Sequence, residues 1–328
     1  MSGLWKRLRA LAVPPEESPG HRRALRLVGL VVVVAFAVFG VGQVDLRGLA
    51  ASLAAASAGL LVLATVANVL NLLFHAYRWA AVVRPKGVRV RAVDVFAAMN
   101  AGFAVGLAVP ARAGDLVRSH LLARRAGLRR SFVLASAAVD YVVGTAALAP
   151  LVALLALVTP LPAWARHALV VTSVAASVGL AAVFLLRPRP DHDEEGDGLA
   201  GLVARLRAGL SAIREPGALA RSFGWALAGW AAEVAIAWFA LAAVGIAPSL
   251  ALASLVVLAT AAANVVAVSP GNAGPFELAA MLPLAGLGVA REPALAFALL
   301  FHLVHLAPMA VIGGWVLVRE AAEARAAP

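Results

Sequence analysis

No cysteine occurs anywhere in this chain of 328 residues. Its absence excludes disulfides, thiol nucleophiles and cysteine-based metal sites, and says little about compartment. Charge is scarce as well. Asp, Glu, Lys and Arg make up 14% of the residues, whereas soluble domains carry about a quarter. With 62% hydrophobic residues and a mean hydropathy of +0.90, the chain falls outside the soluble range. A GxxxxGK[ST] phosphate loop is also missing, so direct use of ATP is not expected. Nor is any polar stretch long enough for a soluble catalytic domain. The sequence predicts a protein that is not an enzyme and carries no cofactor.

What the chain has instead is long apolar runs, at about 27–44, 49–77, 92–110, 131–158, 164–186, 222–245, 248–268, 276–289 and 293–318. Several approach the roughly 20 residues that an α-helix needs to cross a hydrocarbon core about 30 Å thick. Backbone groups in lipid must find partners within their own segment, so these runs read as helices. The expected fold class is all-α, a polytopic helical membrane protein. The N-terminal basic region followed by an apolar run resembles a signal sequence. A second apolar run follows at once, so the reading is an uncleaved signal-anchor.

The formal charge of +11 does not point to nucleic acid, because the arginines lie between the apolar runs rather than in one patch. Residues 1–26 carry six Lys or Arg, 78–91 five, 118–130 five, 187–221 six and 319–328 two. The positive-inside rule places all five of these gaps in the cytoplasm, with both termini inside. Residues 1–26 are then a cytoplasmic N-terminus, 27–318 a single membrane domain containing a cytoplasmic loop at 187–221, and 319–328 a tail. Within that loop, Leu199, Leu202, Val203, Leu206, Leu210 and Ile213 recur at helical spacing, as in an interfacial amphipathic helix.

Two cytoplasmic gaps, 78–91 and 118–130, flank a stretch too short to cross twice, which would take about 40 residues. Residues 92–117 are therefore expected to enter and return on one side as two half-helices, with "VPARAGD" at the turn. The segment from Pro248 to about Ala290 lies between two outward gaps and centres on "VSPGNAGPFE". It is expected to re-enter from the outside, although its arms leave two full crossings possible. The two turns share a pattern: Pro110 and Gly114 precede Asp115, and Pro270, Gly271 and Gly274 precede Glu277. Together they form an inverted pair of broken helices beside about six full spans, an arrangement that transporters use to build a midplane site.

Helix breakers and charges coincide for a physical reason. Broken backbone at membrane depth persists only where it is packed in protein or lines a wet cavity. A wet cavity also lets Arg112, Asp115 and Arg118 stay charged, and arginine offers a fork of donors that matches phosphate oxygens. The alternative is that Asp115 pairs with Arg112 or Arg118 to secure the hairpin. Arg78 is either a further phosphate ligand or a side chain snorkelling to the interface, where Tyr77 and Trp79 would form part of an aromatic belt. Glu277 could cap a helix N-terminus, pair with an arginine or bind a proton. Asp140 and Glu233 lie inside apolar helices and are candidate polar sites or interhelix contacts. His302 and His305 share a face, with no Asp, Glu or Cys near them in sequence. They suit packing or a polar wall, and no metal site is expected.

These residues resemble the transmembrane flippase-like region of lysylphosphatidylglycerol synthases over about residues 25–318. Arg78-Trp79 is similar to that family's Arg-Trp at the end of an early helix. "VPARAGDLVRSHLL" is similar to its Pro-x-x-x-Gly-acid-x-x-Arg motif, and "SPGNAGPFEL" to its Pro-Gly-x-x-Gly-x-x-Glu motif. The chain departs from the family at Tyr141, where an arginine often follows the aspartate, at Asn272, where glycine is common, and near Phe276, where a basic residue is common. The soluble aminoacyltransferase domain of full-length synthases is not expected here. The resemblance implies translocation or presentation of an anionic or modified lipid in a bacterial-type cytoplasmic membrane. Such lipids include an aminoacyl-phosphatidylglycerol or a polyprenyl-phosphate-linked sugar. The alternatives are a membrane enzyme subunit or a scaffold for a separately encoded synthase, which would be its partner.

Overall fold

The computed structural model describes residues 44–83, 88–109, 113–158, 216–265 and 269–326, with a few isolated positions beyond them. Within these residues all regular structure is helical: α1 (Leu46–Ala54), α2 (Ala58–Val82), α3 (Ala92–Ala108), α4 (Ala113–Ala126), α5 (Arg130–Ala146) and α6 (Leu148–Val158), then α7 (Pro216–Ala243), α8 (Leu250–Val265), a 3-10 turn (Pro270–Asn272), α9 (Pro275–Gly286) and α10 (Arg291–Ala326). Four helical stretches are long and apolar enough to cross a membrane: Ala58–Val82, Arg130–Leu157, Gly217–Ala243 and Arg291–Arg325. The expected spans at 27–44 and 164–186, Pro110, Arg112 and the amphipathic stretch of the 187–221 loop lie outside the described residues.

The expected run 49–77 is divided. Ser57 starts a new helix, its hydroxyl facing the Leu60 amide at 3.5 Å while its own N–H bonds Ala243 O at 2.8 Å. The crossing helix therefore begins at Ala58 and continues to Val82, which carries Arg78 and Trp79 into the packed interior.

α10 is the spine of the molecule. At one end, Glu292 accepts a hydrogen bond from the Asp45 N–H. At the other, Glu320 receives Arg125 of α4 at 2.6 and 2.8 Å and also pairs with Arg124. Arg125 in turn reaches Asp94, at the start of α3, at 3.3 Å. The start of α3 and the end of α4 thus lie together at the α10 C-terminus, the end that the positive-inside count assigns to the cytoplasm. α3 and α4, at 17 and 14 residues, are about 25 and 21 Å long, short of a full crossing.

α8 and α9 form the opposite hairpin. They contain 16 and 12 residues, about 24 and 18 Å, and connect the end of α7 to the start of α10. These lengths favour re-entry over two full crossings. The two hairpins meet at their tips. A Cβ placed on Gly271 would lie 3.8 Å from Leu107 Cδ2 in the last turn of α3 and 4.0 Å from Leu306 Cδ1 of α10.

Close approach inside the first hairpin depends on glycine. A Cβ on Gly102 would sit 2.6 Å from the Gly114 carbonyl oxygen and 2.8 Å from Arg118 Cβ, so only hydrogen fits there. Alanines fill much of the remaining interior, among them Ala97, Ala98 and Ala101 of α3. Val62, Leu63 and Val66 of α2, and Val311, Trp315 and Val318 of α10, point outward as lipid-facing side chains would.

Candidate functional site

The last turns of α2, the first hairpin and α5 bring a set of polar side chains together. Arg78 lies fork-to-fork with Asp140, Nε to Oδ1 at 2.7 Å and Nη2 to Oδ2 at 2.9 Å. Asp140 is fully buried and the Arg78 side chain is 9% exposed. Gly144, one turn beyond Asp140, makes room for the guanidinium; a Cβ there would meet Arg78 Nη1 at 2.7 Å. The planar fork satisfies both carboxylate oxygens and two arginine donors, so the pair is neutral and largely closed.

Arg118 is the contrasting case. Asp115 and Arg118 are three residues apart on α4 and so share a face. Arg118 Nε lies 2.9 Å from Asp115 Oδ1, within ion-pair range. That approach lacks hydrogen-bond alignment, and the buried Nη2 has no hydrogen-bond partner among the described residues. The Arg118 side chain is nevertheless only 3% exposed. Its guanidinium lies over Trp79 at 4.9 Å and over Tyr141 at 5.1 Å from the ring centroids. The Tyr141 hydroxyl donates to Asp115 Oδ1 at 3.0 Å. Trp79 is held in turn by Ser136, whose Oγ accepts the indole N–H at 3.0 Å and donates to Val133 O at 2.7 Å. The result is a buried cation clasped by two aromatic faces with donor capacity left over. Such a group is costly to bury and suits a bound anion.

The second hairpin carries a different chemistry. Gly271 and Asn272 have φ of 58° and 59°, and Gly274 has φ of 95°, left-handed values that glycine takes without steric cost and asparagine tolerates. The break is satisfied locally. Asn272 N bonds Ser269 O, Ala273 N bonds Pro270 O, and Asn272 Nδ2 donates to Asn264 Oδ1 at 2.8 Å. Pro275 opens α9, where a missing N–H costs nothing. Glu277 then accepts the Gly274 N–H at Oε2, 2.7 Å away, while its Oε1 lies 2.6 Å from His302 Nδ1. The other ring nitrogen of His302 lies 3.0 Å from Gly271 O.

One turn along α10, His305 repeats the arrangement. Its Nδ1 lies 2.8 Å from Phe301 O and its Nε2 3.0 Å from Glu233 Oε2. Asn71 donates to Glu233 Oε1 at 2.7 Å. Pro308 has no N–H for the Val304 carbonyl one turn back, and Asn68 of α2 supplies the missing donor at 2.8 Å.

Asp115 and Arg118 come together with Trp79 and Tyr141, whereas Glu277 sits on the other hairpin with a histidine, not an arginine, as its partner. Asp140 takes Arg78, and Glu233 takes His305 and Asn71. Trp79 is not part of an interfacial belt, being fully buried, while Tyr77 is exposed and stacks on Trp225. Pro270, Gly271 and Gly274 form the expected turn. Sequence reasoning missed Ser136, named Tyr141 only as a departure from the family, and read His302 and His305 as packing or a polar wall without their carboxylate partners. The available signal was their placement within apolar helices, where a polar group requires a partner. Among the described residues no three His, Asp or Glu side chains converge as a metal site.

A family model described as "Lysylphosphatidylglycerol synthase TM region" matches residues 26–313. A search of curated proteins gives no match.

Proposed function

The chain belongs to the lysylphosphatidylglycerol synthase TM region family, and from that premise we propose that it is a lipid translocator acting without enzymatic chemistry. Its cargo is a lipid with an anionic phosphate, such as an aminoacyl-phosphatidylglycerol or a polyprenyl-phosphate-linked sugar, and its place is a bacterial-type cytoplasmic membrane. Arg118 carries this reading. It is a buried guanidinium with a hydrogen-bond donor left over among the described residues, held between Trp79 and Tyr141. A phosphate oxygen would take the unmet donor, and Arg112, two residues past Pro110, would add a second cation. Asp115 serves as the resident counter-ion, exchanged for phosphate when lipid binds. Alternating exposure of this site from the two faces would follow from movement of the opposed hairpins against each other.

The experiment is a leaflet-accessibility assay with fluorescent phosphatidylglycerol in proteoliposomes. A charge-assisted hydrogen bond contributes about 1.5–3 kcal/mol, so Arg118→Ala should slow lipid redistribution about 10- to 100-fold. Arg118→Lys should recover only part of the rate, because an ammonium lacks the fork. Redistribution by Arg118→Ala at the wild-type rate would rule out the phosphate role.

A further inference from the structure

The site above leaves two acid–imidazole pairs unused: Glu277–His302 is buried, and Glu233–His305 is partly buried, with the Glu233 side chain 20% exposed. Glu277 and His302 are 5% exposed each and His305 is 9% exposed. Their hydrogen-bond partners fix how many protons they hold. A backbone carbonyl can only accept, so the His302 nitrogen at Gly271 O and the His305 nitrogen at Phe301 O must each carry a hydrogen. The remaining ring nitrogens face carboxylate oxygens at 2.6 and 3.0 Å. Without one further proton, each contact would set an imidazole lone pair against a carboxylate lone pair. One proton closes the contact, whether it rests on nitrogen or on oxygen.

The geometry points to a pair of proton-binding sites, Glu277–His302 and Glu233–His305, whose loading and unloading is coupled to movement of the second hairpin. Coupling has a structural route. His302 holds the break from both sides, through the Gly271 carbonyl and through the carboxylate that caps Gly274. Loss of the proton turns one of those two attachments repulsive and frees the tip that meets Leu107 of the other hairpin. Phe276 stacks on His302 at 4.2 Å and touches His305 edge-on at 5.8 Å, so an apolar ring lies between the two sites. His302 is about 16 Å along α10 from Arg291 and about 27 Å from Glu320, well inside the membrane-spanning length.

Among the described residues, few other charges bear on these sites. α8 contains no titratable side chain, α9 only Glu277, and α3 only Asp94 at its cytoplasmic end. α1 offers Arg47, and α10 otherwise carries its charges at its ends: Arg291 and Glu292 at one, Arg319, Glu320, Glu323 and Arg325 at the other. α7 adds Arg221 near its start. α2 places His75 within electrostatic reach of Glu233, together with Arg78, which Asp140 occupies. The exchange is a plain proton transfer with water: one N–H or O–H bond forms as one proton enters, and no redox partner is needed. The coupling to transport rests on the lipid-translocation reading, whereas the proton sites themselves do not.

Glutamine tests the sites cleanly because it imitates the protonated acid. At 277 its amide N–H can donate to His302 Nδ1 while its oxygen still accepts from Gly274 N. At 233 the same logic applies with His305 and Asn71. Full-length wild type, Glu277→Gln, Glu233→Gln and the double variant would be titrated in weakly buffered detergent from about pH 9 to about pH 5, spanning the histidine range. Each single variant should take up one proton fewer and the double variant two fewer, with unchanged elution in size exclusion. If one single variant fails to fold, the other decides by itself. Equal proton uptake by the folded variants and wild type overturns the proposal whatever the lipid assay gives. In proteoliposomes of phosphatidylethanolamine and phosphatidylglycerol, an imposed pH gradient should bias the leaflet distribution of the fluorescent lipid. Wild-type redistribution that ignores the gradient would end the coupling claim and leave translocation standing. No redistribution at all would end translocation, with the proton count still deciding the sites.

Discussion

Asp140→Ala should destabilise the fold more than replacing both members of its ion pair. Removing the carboxylate leaves Arg78 buried among α2, α5 and α7 with two donors stripped of their acceptors. Loss of one partner from a buried pair costs about 3–5 kcal/mol. Counting the contacts gives a similar figure, since two charge-assisted hydrogen bonds at about 1.5–3 kcal/mol each sum to about 3–6. In folded-to-unfolded ratio the penalty is about two to four orders of magnitude. Arg78→Met with Asp140→Leu removes both charges and keeps much of the volume, so the double variant should lie within about 2 kcal/mol of wild type. The assay is reversible unfolding of the full chain in mixed micelles with added dodecyl sulfate, run on Asp140→Ala and on the double-mutant cycle of Arg78→Met, Asp140→Leu and the two combined. The cycle should return a coupling of at least about 2 kcal/mol. Single substitutions costing under about 1 kcal/mol, or a double variant as damaged as the sum of its parts, would show that the pair is not closed. Arg78 would then be available for a headgroup. If the pair is closed and the proposed lipid site is correct, the refolded double variant should redistribute lipid at a rate near wild type, because the cation proposed to hold the phosphate is Arg118.

Other consequences are open to simpler measurements. Gly102→Val should splay the first hairpin, since its Cβ would collide with the Gly114 carbonyl; a cost above about 3 kcal/mol is expected, and a thermal transition in detergent like that of wild type would refute the close approach. Because the chain contains no cysteine, single cysteines report topology directly. Ala126→Cys should react with membrane-impermeant maleimide from the cytoplasmic face of inverted vesicles, and Gly286→Cys only from the opposite face; matching sidedness would refute the inverted pair. Leu107→Cys with Gly271→Cys should join through a short bifunctional reagent, and failure to cross-link would separate the two tips. Arg125→Ala, in a cluster with Glu320 and Asp94 at the helix ends whose side chains are 11 to 25% exposed, should cost only about 1 kcal/mol. A loss of several kcal/mol there would mean that the cluster is more deeply buried in the membrane-embedded protein.

Among the described residues, the helical class and the breaks agree with the local reading of the sequence. Helix length follows from apolar run length and breaks follow from proline and glycine, each a property of neighbouring residues in the chain. That is why the two short arms around "VPARAGD", the turn at Pro270–Gly274 and the helical class were legible before any coordinates. The division at Ser57 was less so, because an apolar run does not reveal that an interhelix bond to Ala243 fixes where the crossing begins.

Partner choice is the part that only the folded chain decided. Arg78 finds Asp140 from 62 positions away, Glu277 finds His302 across 25, His305 finds Glu233 across 72 and Asn71 finds Glu233 across 162. A polar side chain in an apolar helix demands a partner because lipid supplies none, so the sequence determined that these groups must pair. It did not determine with whom, because in a low-dielectric interior the choice depends on distances of a few ångströms that helix packing sets. The same packing satisfies Arg78 and leaves Arg118 with a donor to spare.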